Sequence, residues 1–372
     1  MVAGLVQILS ALGGIRLTGN PLPRPTMIAN FAVTYRCNSR CRTCRIWEIE
    51  DPRRGELTLD EVRWIFASNL EFLRDVRYIQ ITGGEPFMRP DLPEIVSTIH
   101  GYLPGCVFGA PTNGMEPERI ERATEATIRA LGGRGFSVSV SMDGLERTHD
   151  SIRGVEGSFE RAVETLRRLS ALRRVFPGLR LAVGMTLTPE NHGELPEVFG
   201  LARRHGARFS FRPVNHSEIY YRNRADDLWI GEVPEALLQS VRGVGRATVE
   251  KYGFRGSATA LRYIQGALDY IRDPSDRRLP CSAGSESLFL DPYGNVYPCI
   301  FMDEKMGNAR EAPLEAIWRS PEASEAQRKV RGGECPGCWV ECEAFRDIHK
   351  DVKGLASAAL RAFLHPSTAG IS

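Results

Sequence analysis

Eight of the nine cysteines in this 372-residue sequence fall into two groups, and that is the feature with the most chemical meaning. Cys37, Cys41 and Cys44 follow one another as C-x3-C-x2-C. Cys281, Cys299, Cys335, Cys338 and Cys342 form the second group, whose last three members are spaced C-x2-C-x3-C. Three thiolates in one short loop can hold three irons of a [4Fe–4S] cubane and leave the fourth iron open to another ligand, whereas a fourth thiolate would close it. Zinc is the alternative, but it needs a further Cys or His, and none besides these three lies between Leu17 and His100. In the second group four thiolates complete one further cluster, with structural zinc as the alternative. The ninth, Cys106, stands alone in an apolar run and reads as a buried core thiol. A long chain with this spacing points to metal binding in a reducing compartment, hence cytoplasmic, and not to a disulfide scaffold.

The elements that must position these groups alternate. Strands are expected over 29–35, 76–82, 107–112, 136–142, 181–187 and 208–214, from their Val, Ile, Phe and Thr content. Helical periodicity is expected over 59–73, 91–103, 116–131, 158–175 and 194–205, the first opened by a Thr58–Glu61 capping box. Repeated strand–helix units predict parallel strands with right-handed crossovers, either an open sheet or a partial barrel, with function at the strands' C-terminal ends. The distinctive residues do follow strands. Cys37 follows the first, Gly83-Gly84-Glu85-Pro86 the second, Asn113-Gly114 the third, and Ser141 and Asp143 end the fourth. Thr186 and Arg212 end the fifth and sixth. Residues 216–280 read as a helical connector. A hairpin is expected around Asp291-Pro292-Tyr293-Gly294, and a helix near 313–328.

The three-cysteine motif after the first strand resembles the radical S-adenosylmethionine (SAM) superfamily over about residues 28–215. The resemblance implies a partial (β/α)6 TIM-type barrel, with Cys37, Cys41 and Cys44 holding a [4Fe–4S] cluster whose open iron binds SAM. Reductive cleavage of SAM then yields a 5′-deoxyadenosyl radical that abstracts hydrogen from a substrate. Gly83, Gly84 and Glu85 look like the family's GGEP motif, which meets the SAM amino group. Ser141 and Asp143 suit the ribose or the SAM carboxylate. Arg153, in the block His149-Asp150-Ser151-Ile152-Arg153-Gly154, suits that carboxylate, with a surface salt bridge as the plain alternative. The family's aromatic residue before the third cysteine is Thr43 here, so the adenine contact must come from elsewhere, Trp47 or Tyr35.

Residues 281–345 resemble the SPASM auxiliary-cluster region or its shortened form, twitch. With five cysteines where the full pattern has seven, the expectation is one auxiliary [4Fe–4S] cluster in a small α+β domain. Cys281 and Cys299 are expected as ligands, joined by two of Cys335, Cys338 and Cys342. The expected organisation is an N-terminal apolar segment (1–27), the barrel (28–215), the connector (216–280), the auxiliary domain (281–350) and a C-terminal tail (351–372). Such enzymes modify peptides or small molecules and take electrons from donors such as flavodoxin or ferredoxin. No cobalamin-binding domain is apparent.

Composition adds exclusions. A net charge of +2 and scattered Lys/Arg give no nucleic-acid footprint. No run reaches the roughly 18 apolar residues of a membrane span. Residues 1–17 are apolar but broken by Gly4, Ser10, Gly13 and Gly14, and lack signal-peptide features. They are expected to be a short helix on the barrel in preference to a membrane-surface segment. The competing class is a non-catalytic iron–sulfur or zinc protein for electron transfer or binding, which would leave the motif at Gly83–Pro86 without a role.

Overall fold

A computed structural model describes residues 27–50, 53–223, 228–275, 277 and 279–372. The expected N-terminal helix lies outside the described residues. Six strands, β1 (Met27–Thr34), β2 (Val76–Gly83), β3 (Val107–Thr112), β4 (Phe136–Ser141), β5 (Leu179–Leu187) and β6 (Arg208–Pro213), pair in parallel and in order. The sheet does not close, as in a partial barrel.

The strands alternate for a physical reason. In β4, Phe136, Val138 and Val140 are buried, while Ser137, Ser139 and Ser141 are half-buried. Successive side chains point to opposite faces, so one face packs on the helices and the other lines the barrel interior. The interior positions are small or polar, Thr82, Pro111, Ser141 and Thr186 among them, and these line a cavity where an apolar core would otherwise form.

Helices Leu59–Ser68, Leu92–Tyr102, Pro117–Ala130, Ser158–Val175 and Leu195–Arg204 cover the apolar face. The Thr58–Glu61 capping box is present: the Thr58 hydroxyl accepts from Glu61 N–H at 3.2 Å, and the Glu61 carboxylate accepts from Thr58 N–H at 2.8 Å. An additional helix, Glu146–Arg153, falls in the block around His149. Its Asp150 accepts three hydrogen bonds from residues 157–159 and so caps the helix that follows.

The later part of the chain does not stand apart from the barrel. Strand β7 (Ser287–Leu290) pairs in parallel with β1, and β8 (Asn295–Tyr297) and β9 (Gly307–Asn308) continue antiparallel, giving one nine-stranded sheet. The expected hairpin is therefore present, and it covers the edge that β1 would otherwise expose. The connector contains helix Glu235–Arg272, kinked at Gly253. The helix expected over 313–328 is split into Leu314–Trp318 and Pro321–Gly332. The C-terminal segment forms helix Val352–Leu364, which packs on Glu235–Arg272. No helix among the described residues is long and apolar enough to cross a membrane.

Candidate functional site

The loop carrying Cys37, Cys41 and Cys44 has no regular structure of its own beyond a short turn, so its backbone groups must find partners elsewhere. Arg40 N–H and Arg42 N–H each donate at 2.9 Å to the carbonyls of Arg153 and Ile152, the orphan acceptors at the end of helix Glu146–Arg153. Arg45 N–H donates to the Tyr221 carbonyl at 2.7 Å. Asn113 Nδ2 donates to Asn38 Oδ1 at 2.7 Å. The loop is thus held by three separate segments of the chain.

Gly83 and Gly84 explain its entry. Their neighbour is the start of that same loop: Gly84 N–H donates to Thr34 O and Glu85 N–H to Arg36 O, both at 2.8 Å. A Cβ at Gly83 would stand 2.0 Å from the Thr34 carbonyl oxygen, and one at Gly84 2.2 Å from that of Arg36. Gly83 also has φ +137°, which favours glycine. The glycines allow backbone to touch backbone. Glu85 is buried and accepts from Phe87 N–H, Thr112 Oγ1 and Asn113 N–H at 3.1, 3.0 and 2.6 Å. Burial outweighs these donors and pushes its carboxyl up to about 7. It ties the ends of β2 and β3 together while lining the cavity.

Asp143 and Arg153 form a buried pair at 2.7 Å. Asp143 also accepts from Thr186 N–H at 2.8 Å, and its own N–H donates to His149 Nδ1 at 3.0 Å. Burial holds the His149 imidazole down to about 4, so it stays a neutral acceptor. The Arg153 Nη1 reaches Cys41 Sγ at 3.7 Å, and its Nε is buried without a partner. The salt bridge foreseen as the plain alternative for Arg153 therefore exists, but it lies inside the site. Arg212 lines the same cavity and faces Glu341 at 3.8 Å, too far for a hydrogen bond.

All the residues expected in the SAM pocket (Gly83, Gly84, Glu85, Asn113, Ser141, Asp143, Arg153, Thr186 and Arg212) line one cavity with Cys37, Cys41 and Cys44. Of the two aromatic candidates, Trp47 lines it, with a buried and unpartnered indole N–H. Tyr35 does not, being packed between Tyr220 and Tyr293 in the core. The donor set fits a metal cluster. Burial pushes the Cys37 thiol up to about 12 and raises those of Cys41 and Cys44. Such thiols become thiolates where cationic charge, from metal or from an arginine such as Arg153 beside Cys41, offsets the cost of the buried charge. Among the described residues no three Cys, His, Asp or Glu side chains converge on a point as for a single ion. A cubane places each thiolate on a different iron and needs no such convergence.

The second group packs in a small apolar cluster with Ala283, Phe301, Met302, Val330 and Val340. Burial raises the Cys299 and Cys338 thiols, each further raised by Cys281 nearby. Cys335 adds to the effect at Cys338. Cys342 is also raised by burial, but its principal charged neighbours are Glu343, Glu341, Arg346 and Arg212. Arg277 repeats the role of Arg153: its Nη1 lies 3.6 Å from Cys338 Sγ, and its Nη2 pairs with buried Asp347 at 3.0 Å. Neither Arg277 nor Asp347 was legible as a site residue, because no motif joins positions 70 residues apart. Cys106 lies in the core, as expected.

Comparison with known proteins agrees with this geometry. A model of the radical SAM superfamily matches residues 31–202, and a model of the SPASM iron–sulfur cluster-binding domain matches residues 281–342. The chain is 29% identical over 326 residues to the AdoMet-dependent heme synthase of Methanosarcina barkeri, covering 83% of this chain and 86% of that protein. It is 29% identical over 324 residues to the mycofactocin maturase MftC of Mycobacterium tuberculosis, covering 84% and 74%. Among solved structures, native anSMEcpe with bound AdoMet superposes with a TM-score of 0.58 at 13% identity, covering 91% of this chain and 99% of that one. That likeness concerns the fold.

Proposed function

The chain is a radical SAM enzyme with a C-terminal SPASM region, and from that premise we propose that Cys37, Cys41 and Cys44 hold the SAM-binding [4Fe–4S] cluster. The observation that carries this assignment is the gathering of these three thiols with the Gly83–Glu85 turn and the Asp143–Arg153 pair around one cavity. When bound, the cluster supplies the electron that splits SAM to a 5′-deoxyadenosyl radical, which abstracts hydrogen from the substrate. Gly83, Gly84 and Glu85 would meet the SAM amino group. Ser141 and Asp143 would meet its ribose or carboxylate, and the unpartnered Arg153 Nε supports a role for that guanidinium at the carboxylate. Trp47, which lines the cavity together with Tyr220 and Tyr221, would be the aromatic neighbour for adenine.

Cys281, Cys299, Cys335 and Cys338 would hold a single auxiliary [4Fe–4S] cluster, a choice supported by the influence of Cys281 on Cys299 and Cys338 and of Cys335 on Cys338, whereas the charged neighbours of Cys342 are Glu343, Glu341, Arg346 and Arg212. The substrate would be a peptide or a small molecule, and the reaction a net oxidation or modification of it. Flavodoxin or ferredoxin would provide the electron. The boundaries 28–215 and 281–350 serve as the working division into catalytic and auxiliary parts, joined through β1 and β7.

Anaerobic reconstitution tests the assignment. Wild type should bind about eight irons, two cubanes, and release 5′-deoxyadenosine from SAM with dithionite. Cys41→Ser should hold about four irons and release none, while Cys342→Ser keeps the wild-type iron content. A Cys41→Ser protein that still cleaves SAM would overturn it.

A further inference from the structure

The two cysteine groups are joined by a buried hydrogen-bonded link that no motif announces. Thr43 precedes Cys44, and Trp339 follows Cys338. Asn223 Nδ2 donates to the Thr43 carbonyl oxygen at 2.9 Å and to the Asn215 carbonyl oxygen at 3.0 Å. The Asn215 side-chain Oδ1 in turn accepts from Trp339 N–H at 3.0 Å. Two asparagines thus span from the Thr43–Cys44 peptide unit to the Cys338–Trp339 peptide unit.

Their orientation is dictated by the remaining partners. Asn223 Oδ1 accepts from Ser217 N–H at 3.2 Å, and Asn215 Nδ2 donates to Pro213 O at 2.7 Å. Either amide turned over would set oxygen against oxygen and N–H against N–H. Asn223 and Asn215 are 0% and 4% exposed, so a lost partner leaves a buried polar group, although Asn215 also borders the cavity. The far end is equally fixed. Trp339 donates from its indole N–H to Tyr263 O at 2.9 Å, and its ring fills the space beside Gly266, where a Cβ would come within 1.9 Å.

We propose that Asn223 and Asn215 are positioning residues that set the geometry of one cysteine site by that of the other. Cluster potentials respond to hydrogen bonding and solvent exposure around the ligating sulfurs. A link between the peptide units beside Cys44 and Cys338 therefore lets a displacement at either site alter both. The inference rests on the cysteine assignment above.

The test uses the neutral, similarly sized variants Asn223→Leu and Asn215→Leu, and the double variant, in the reconstituted protein. Midpoint potentials of both iron–sulfur signals are read by EPR during redox titration. Each single variant should shift both potentials, and the double variant should shift them no further, because a link broken once is already broken. Hydrogen–deuterium exchange of the protein as isolated provides a second readout. Peptides covering 37–45 and 335–342 should exchange about tenfold faster in each variant, with β3 peptides unchanged. A shift at one site only, or effects that add in the double variant, would overturn the proposal. Absence of iron would fail the cysteine assignment alone, since the exchange measurement still decides the link. Should one variant fail to fold, the other carries the same readouts.

Discussion

At the scale of single residues, the site depends on charges that cannot be removed one at a time. Arg153 would be disfavoured by burial, but Asp143 and Cys41 beside it more than reverse that and keep it firmly protonated. Asp143 is 1% exposed on its side chain, so losing Arg153 removes the ion pair of a buried carboxylate and leaves it the Thr186 N–H and the more distant Arg212. Arg153→Met should therefore destabilise the protein by about 3 kcal/mol, read as a lower midpoint in urea. Arg153→Met/Asp143→Leu, which removes both charges, should recover part of that loss. The same arrangement at Arg277, Asp347 and Cys338 means that both thiol groups sit beside an arginine backed by an aspartate.

At the scale of elements, the cysteine loop owes its shape to what surrounds it. The end of β2 approaches so closely that Gly83→Ala would drive a Cβ into the Thr34 carbonyl in a backbone region that disfavours side chains. The expected cost is about 3 kcal/mol or more, together with loss of iron from the Cys37–Cys44 loop and retention of the auxiliary signal in EPR. A second clamp joins the capped helix Leu59–Ser68 to the later region, through Arg310 Nε to Glu61 Oε1 at 2.6 Å. Arg310 holds the Glu61 carboxyl down to about 2 from its usual 4.5. A depressed carboxyl adds stability above about pH 4.5 and loses it as pH falls toward 2. Glu61 is partly exposed, so screening keeps the contribution below about 1 kcal/mol. Comparing wild type with Arg310→Met by thermal unfolding, the difference should shrink between pH 5 and about 2 and in high salt.

At the scale of the whole molecule, the catalytic and auxiliary parts share one sheet. Ile28 to Phe31 of β1 pair with Ser287 to Leu290 of β7, immediately before the loop that carries Cys37. Removing residues 281–372 would uncover a long apolar edge strand, and such edges pair with other chains. A chain ending at residue 280 should accumulate as aggregate and bind no iron at Cys37, Cys41 and Cys44, as measured by sedimentation and iron analysis. A soluble, iron-binding fragment would show that the barrel stands alone.

The sequence by itself determined the chemistry and the order of elements. Cysteine spacing, glycine pairs and strand–helix periodicity are local, so the three-thiol loop, the six parallel strands, the capping box at Thr58 and the hairpin at Gly294 were all legible. Arg153 was legible because it lies in a recognisable block. Tertiary structure decided what depends on distant partners: that β7 joins β1, that Trp47 and not Tyr35 reaches the cavity, that Asp143 meets Arg153, and that Arg277, Asn215 and Asn223 stand beside cysteines far from them in sequence. The physical reason is that spacing encodes which face a side chain takes on its own element, whereas contact across elements arises only when packing brings separate faces together.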